Sequence, residues 1–288
     1  VFQDNGIFRM TGDDAIMMGS ISTENDLDGT VRFNTAVTLI GNIGALGLAV
    51  GEIYTGDDLY AQMDHFYAGL VTSCGSWCSV DLSPAEDSIT VRADFQQEEG
   101  SDPGMDTLSF SGNVDFAGNI GVPGTPYGEV QFHGGAFEPA TVSMTGNIEA
   151  DYMWFYDNSG TILNLTDTNI NDSWIGADAD GAVINFAGTN TFDGFIGDSD
   201  ADISQVNFNS GETTLLSEAE MESVFWGDAS EWNINNAAAV RLPYGAHFYG
   251  VVTVMSATIV PVILIFGSLM QGSGMSRLFG NFGAITGG

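Results

Sequence analysis

Apolar and polar residues alternate with a period of two along most of the chain, and the alternation recurs in blocks that can be superposed. Residues 108–121, LSFSGNVDFAGNIG, match residues 184–197, INFAGTNTFDGFIG, at a shift of 76 (108 to 184). The shift sets Leu108 on Ile184, Phe110 on Phe186, Gly112 on Gly188, Phe116 on Phe192, Gly118 on Gly194 and Ile120 on Ile196. A third copy, VRFNTAVTLIGNIG at residues 31–44, lies 77 upstream (31 to 108) and puts Val31, Phe33, Val37, Leu39, Gly41 and Ile43 on Leu108, Phe110, Val114, Phe116, Gly118 and Ile120. Period-two alternation marks half-buried strands, and the Gly-x-Ile-Gly that closes each block marks a turn.

Each block is followed, 22 residues from its start, by another short strand: Ile53 after Val31, Val130 after Leu108, Val206 after Ile184. The strand at Ile162 precedes Ile184 by the same 22. That spacing is about one coil of a β-solenoid, whose coils bury their inward side chains only by stacking on each other. The fold expected is therefore mainly β, with a β-solenoid or parallel β-helix-like body. A β-sandwich or jelly roll with similar strand lengths is the alternative.

Two segments suggest short helical insertions. In residues 57–70, DDLYAQMDHFYAGL, Leu59, Met63, Phe66 and Leu70 fall at helical spacing after acidic residues that suit a helix start. Residues 217–226 open with Ser217 and Glu220 in capping-box register. Both read as covers for an open strand edge.

The alternation stops near the C-terminus. Residues 248–270, FYGVVTVMSATIVPVILIFGSLM, carry no formal charge and are long enough to span a bilayer. The segment reads either as a membrane anchor or as an element packed among neighbouring subunits. Phe248, Val254, Ile259, Pro261, Ile263 and Phe266 are its contact residues, with Leu278, Phe279 and Phe282 in the tail beyond. The expected organisation is an N-terminal segment (1–30), an acidic repeat-built body (31–242), a hydrophobic segment (243–272) and a Gly-rich tail (273–288).

Composition narrows the function. The net charge is −33, set against only five basic residues, all arginine: Arg9, Arg32, Arg92, Arg241 and Arg277. A nucleic-acid partner requires clustered Lys or Arg, so no such partner is expected. Cys74 and Cys78, in Cys-Gly-Ser-Trp-Cys, are spaced to close a small disulfide loop, which suits an oxidising compartment. With Val1 at the start and no leader pattern, the expectation is a secreted protein whose signal peptide is already removed. Asn164-Leu-Thr166 and Asn171-Asp-Ser173 match the glycosylation sequon.

The pieces LSFSGNVDFAGNIG and VINFAGTNTFDGFIGDSDADISQVNFNSGETTL resemble the passenger repeats of autotransporter-type bacterial surface proteins. The resemblance implies an elongated, surface-exposed β-helix. The chain departs from that family in having few coils and in ending on a hydrophobic stretch in place of a β-barrel translocator.

Candidate chemistry is sparse. Asp198, Asp200 and Asp202 form an Asp-x-Asp-x-Asp turn that suits calcium, but Ile203 stands where an EF-hand needs glycine. A second acidic turn holds Asp178 and Asp180. His65 with Cys74 and Cys78 supplies three zinc ligands and no evident fourth. His133 and His247 are isolated, and no P-loop, dinucleotide fingerprint or nucleophile elbow occurs. The expected function is a non-enzymatic extracytoplasmic subunit, without a cofactor unless calcium binds. Its partners are copies of itself in a surface filament, sheath, layer or virion shell, and the membrane if residues 248–270 are an anchor. A membrane-anchored adhesin and a hydrolase using two carboxylates are the rivals.

Overall fold

Alternating strands that cannot bury a face alone are stacked here into a parallel β-solenoid of about nine turns. The computed structural model describes residues 6–12, 14–100, 102–134, 139–156, 160–178, 182–197, 203–216, 231–234 and 238–241. The chain divides into Val1–Pro243 and Tyr244–Gly288, and every described residue belongs to the first unit.

The first coils are built from β1 (Ile7–Met10), β2 (Ala15–Met18), β3 (Asp28–Phe33), β4 (Val37–Ile40), β5 (Val50–Thr55), β6 (Leu59–Met63) and β7 (His65–Ser73). The middle coils contain β8 (Ser79–Pro84), β9 (Ser88–Gln97), β10 (Thr107–Ser111), β11 (Asn113–Ala117), β12 (Tyr127–His133) and the long β13 (Thr141–Tyr156). The last hold β14 (Ile162–Ala177), β15 (Val183–Ala187), β16 (Thr189–Ile196), β17 (Gln205–Phe208), β18 (Gly211–Leu216), β19 (Glu231–Ile234) and β20 (Ala238–Arg241). Every ladder between these strands is parallel, from β1 on β3 to β18 on β20, which excludes the sandwich and jelly-roll alternatives.

Each coil has three faces, and one column of core side chains runs up each. Face A carries Phe8, Val31, Ile53, Val71, Phe95, Ile120, Ile148, Ile170, Phe192 and Leu215, each register partner to the next. Face B carries Leu39, Ala61, Leu82, Phe110, Phe132 and Phe155. Face C carries Ile43, Phe66, Val91, Phe116, Met144, Leu165, Phe186 and Phe208. Most of these side chains are fully buried. The aromatic ones stack from coil to coil, with centroids 5.1 Å apart for Phe132 and Phe155 and 5.3 Å for Phe186 and Phe208. On the outside of face C an amide ladder ties the coils, Asn207 donating to Asn185 at 2.7 Å and Asn185 to Asn164 at 2.8 Å.

The 22-residue spacing is the coil: Val31 pairs with Ile53, Leu108 with Val130 and Ile184 with Val206, while the strand at Ile162 sits one residue out of the expected step, Ile162 pairing with Val183 and Leu163 with Ile184. The longer repeat has a different origin. From Val31, three turns up face A reach Phe95, and the next face on holds Leu108. From Leu108, three turns up face B reach Ile175, and the next face on holds Ile184. The three sequence blocks therefore start on faces A, B and C, each copy turned by one face relative to the last. All three faces need the same strand, corner and strand, so one motif serves any of them. Its last glycine is the corner in each copy: Gly44, Gly121 and Gly197 have φ of 63°, 69° and 68°. At Gly121 an added Cβ would run into the carbonyl oxygen of Glu149 on the next coil.

Two sequence expectations change. Residues 57–70 form strands β6 and β7 in place of a helix, with Leu59, Ala61 and Met63 inward and Tyr60 and Gln62 outward. A separation of four fits a period of two as well as 3.6, so Leu59 and Met63 carry no helical information. The ladders also reach into the segment 1–30, because β1 pairs with β3 and β2 with β4. No helix occurs among the described residues. The second expected insertion, 217–226, lies outside them.

Candidate ligand-binding face

The cysteine loop contains a cluster of possible metal ligands, but its geometry is that of a staple. Cys74 and Cys78 are joined as a disulfide with Cα atoms 5.8 Å apart, and Asp106 lies beside them. The fully buried Asp106 carboxylate accepts from the Ser73 hydroxyl, from Gly75 N–H at 2.8 Å and from Cys78 N–H at 3.1 Å. Buried Tyr127 donates to Ser73 at 3.1 Å, and burial pushes its phenol well above the ordinary range. The carboxylate lone pairs are thus spent on holding the 74–78 loop against the loop that leads into β10. His65 is not part of the group; its Nε2 sits 3.1 Å from the Gly44 carbonyl. The three zinc ligands weighed against a disulfide in the sequence are not brought together, and the two cysteines form the disulfide.

The outward side of face B offers more. Along coils two to six runs an open groove of about 550 Å³, lined by Tyr60, Asp81, Ser83, Ser109, Ser111 and His133 among others. These are the residues between the inward ones of β4, β6, β8, β10 and β12, placed on one side by the period of two. The half-buried Asp81 lies in its floor and accepts from Ser79 at 3.1 Å. Burial holds the Asp81 carboxyl above the usual carboxylate range, against hydrogen bonds from Ser109 and Ser79.

Above the groove its two outward rows lead to Trp154 and Tyr156, and the row beside them, from Thr107 through Glu129, turns aromatic as well. Glu129, Tyr152, Trp174 and Phe195 are successive register partners, and Gln131 pairs with Trp154 in the neighbouring row. Tyr152 is 44% exposed and Phe195 49%. Trp174 packs against both Tyr152 and Trp154 with centroids 5.8 Å apart, edge-on to Trp154 at 84°. His133 stacks on Tyr156 at 5.2 Å. Carboxylates rim the cluster: Trp154 Nε1 donates to Asp178 at 2.5 Å, Tyr156 to Glu129 at 2.7 Å and Gln131 to Glu129 at 2.9 Å. Burial, and then the Glu129 carboxylate, push the Tyr156 phenol far up. None of the described arginines belongs to this face. Arg9, Arg32 and Arg241 stand on strands of face A, and Arg92, paired with Asp115 at 2.6 Å, on a strand of face C.

Of the residues singled out from sequence, Asp198, Asp200 and Asp202 lie outside the described residues, as do Phe248, Val254, Ile259, Pro261, Ile263, Phe266, Leu278, Phe279 and Phe282. Among the described residues no helix is long and apolar enough to cross a membrane. Both sequon asparagines are engaged: Asn164 belongs to the amide ladder, and Asn171 donates to Glu149. The aromatic cluster was not anticipated. Tyr152, Trp154 and Tyr156 alternate with Met153 and Phe155, a visible signal in the sequence, but their meeting with Trp174 and Phe195 depends on the coil register. No protein family matches the chain, and neither a curated protein nor a solved structure shows significant similarity to it.

Proposed function

We propose that the protein is an extracytoplasmic structural subunit that stacks head to tail on copies of itself, as in a surface filament, sheath, layer or virion shell. The observation that supports this reading is the first coil. β1 and β2 pair with β3 and β4 on one side, and among the described residues no strand pairs with their other side. Phe8, Met10, Ala15 and Met17 pack only partly against the core, while Ile7, Ile16 and Met18 are 64%, 68% and 79% exposed. Open edges are normally blunted by lysine, proline, a bulge or a cover. IFRM and AIMM contain neither lysine nor proline. A parallel coil presents complementary donors and acceptors on its two edges, so end-on pairing repeats without closing and generates a linear polymer. In this reading the hydrophobic stretch 248–270 and Leu278, Phe279 and Phe282 supply a second contact, to neighbouring copies or to a membrane.

Negative-stain microscopy tests the reading. The full chain should form regular polymers, and Ile16→Lys with Met18→Lys should leave particles of single subunits with an unchanged circular-dichroism spectrum. A wild-type chain that stays monomeric at high concentration, or a double variant that polymerises normally, would sink it.

A further inference from the structure

We propose that the aromatic end of face B binds a neutral, β-linked glycan, whose pyranose rings stack on Tyr152, Trp174 and Phe195. The three side chains stand on successive coils. They form a column that climbs the solenoid at the coil rise, about 4.8 Å per step, roughly the size of one sugar ring. A pyranose has an apolar face of C–H groups and a polar rim, and the cluster has the inverse arrangement. Broad ring faces lie at its centre and the carboxylates of Glu129 and Asp178 at its edge, within hydrogen-bonding reach of Tyr156 and Trp154. A wholly apolar partner would strip water from Glu129 and Asp178 without replacing it, whereas sugar hydroxyls donate to such groups.

Charge sets the class of glycan. Asp81, Glu129 and Asp178 line or rim this face, the described arginines stand on the other two, and the chain carries −33 overall. An acidic or sulfated polymer would be repelled. Shape sets the linkage. The aromatic column stands on a parallel sheet, beside the rows that run down into the open groove from His133 to Tyr60, which suits an extended ribbon of equatorially linked rings better than a coiled chain or a compact small molecule. The site is independent of the first-coil edge, so binding and assembly can be separated by mutation.

The test uses the full-length protein with cellohexaose and chitohexaose as probes and hexagalacturonate as the anionic control, read by calorimetry and tryptophan fluorescence. At least one neutral hexasaccharide should bind and change the fluorescence, and hexagalacturonate should not bind. Trp174→Ala should weaken binding by about tenfold or more, the loss of ~1.4 kcal/mol. Phe195→Ala, at a more exposed position, should weaken it less and guards against misfolding of the first variant. Ile16→Lys with Met18→Lys should bind as the wild type does. Failure of both neutral probes, equal binding of the anionic one, or unchanged affinity in Trp174→Ala and Phe195→Ala would each overturn the proposal.

Discussion

Trp154 and Phe155 are neighbours on β13, yet they serve opposite sides of the solenoid wall. Phe155 points inward, 2% exposed, and stacks on Phe132. Trp154 points outward, half-buried, with its N–H on Asp178 and its edge on Trp174. At this level the inner column is phenylalanine, Phe110, Phe132 and Phe155, with no polar atom to satisfy; the outer cluster is tryptophan and tyrosine with carboxylates, plus one exposed phenylalanine. Inside, aromatic bulk fills a space fixed by the coil perimeter and makes stability. Outside, the same bulk remains partly hydrated, so it contributes little to folding and stays available to a ligand.

Mutations on the two sides should therefore separate stability from recognition. The largest effect belongs to Phe132→Ala, which empties a fully buried position between Phe110 and Phe155. A loss of about 3–5 kcal/mol is expected from such a cavity, read as a lower urea midpoint. A loss below about 1 kcal/mol would show that the column collapses around the gap.

Outside, Trp174→Ala removes two partly exposed ring contacts. It should cost about 1–2 kcal/mol, and Phe195→Ala about 0.5 kcal/mol or less. Destabilisation by Trp174→Ala as large as that by Phe132→Ala would erase the contrast between the two sides.

The smallest effect is that of Asp81→Asn, and it depends on pH. Burial raises the folded-state pKa of Asp81, so the folded protein holds that proton more tightly than the unfolded chain does. The stability gained this way is complete below the ordinary carboxylate value of about 3.9 and is lost as pH rises through the folded value. The amide of the variant does not titrate and has no such dependence. The variant should melt slightly above the wild type at pH 7 and together with it near pH 3, and the reverse order would remove the groove floor as the origin of the shift.

Much of this was legible in the chain. Val31 to Ile53 and Ile184 to Val206 are true coil partners, found from spacing alone because every coil must place the same strand over the same strand. The helix expected at 57–70 failed where two periodicities coincide: apolar residues four apart satisfy both, and Ala61 and Ala68, which complete the strand pattern, are too small to stand out. The candidate site was legible only in part. Tyr152, Trp154 and Tyr156 advertise a strand with two aromatic sides, whereas Asp81 and Glu129 are two acids among 38 until the register places them on face B.

By itself the sequence determined a mainly β body with a strand step of about 22 residues, a core of alternating apolar residues, turns at Gly-x-Ile-Gly and a surface without lysine, and the parallel ladders then decided between solenoid and sandwich. These follow from local periodicity and composition, which need no knowledge of what touches what. Only the tertiary structure decided that the 76-residue repeat turns by one face each time, that Asp106 staples the cysteine loop, and that Trp174 and Phe195 join Tyr152 in one exposed column. The reason is that a solenoid converts distance along the chain into position on a face through its coil perimeter. Here one turn spans 18 residues between Ile53 and Val71 but 28 between Ile120 and Ile148, so neighbours across coils are set by the path of each loop as well as by the strands.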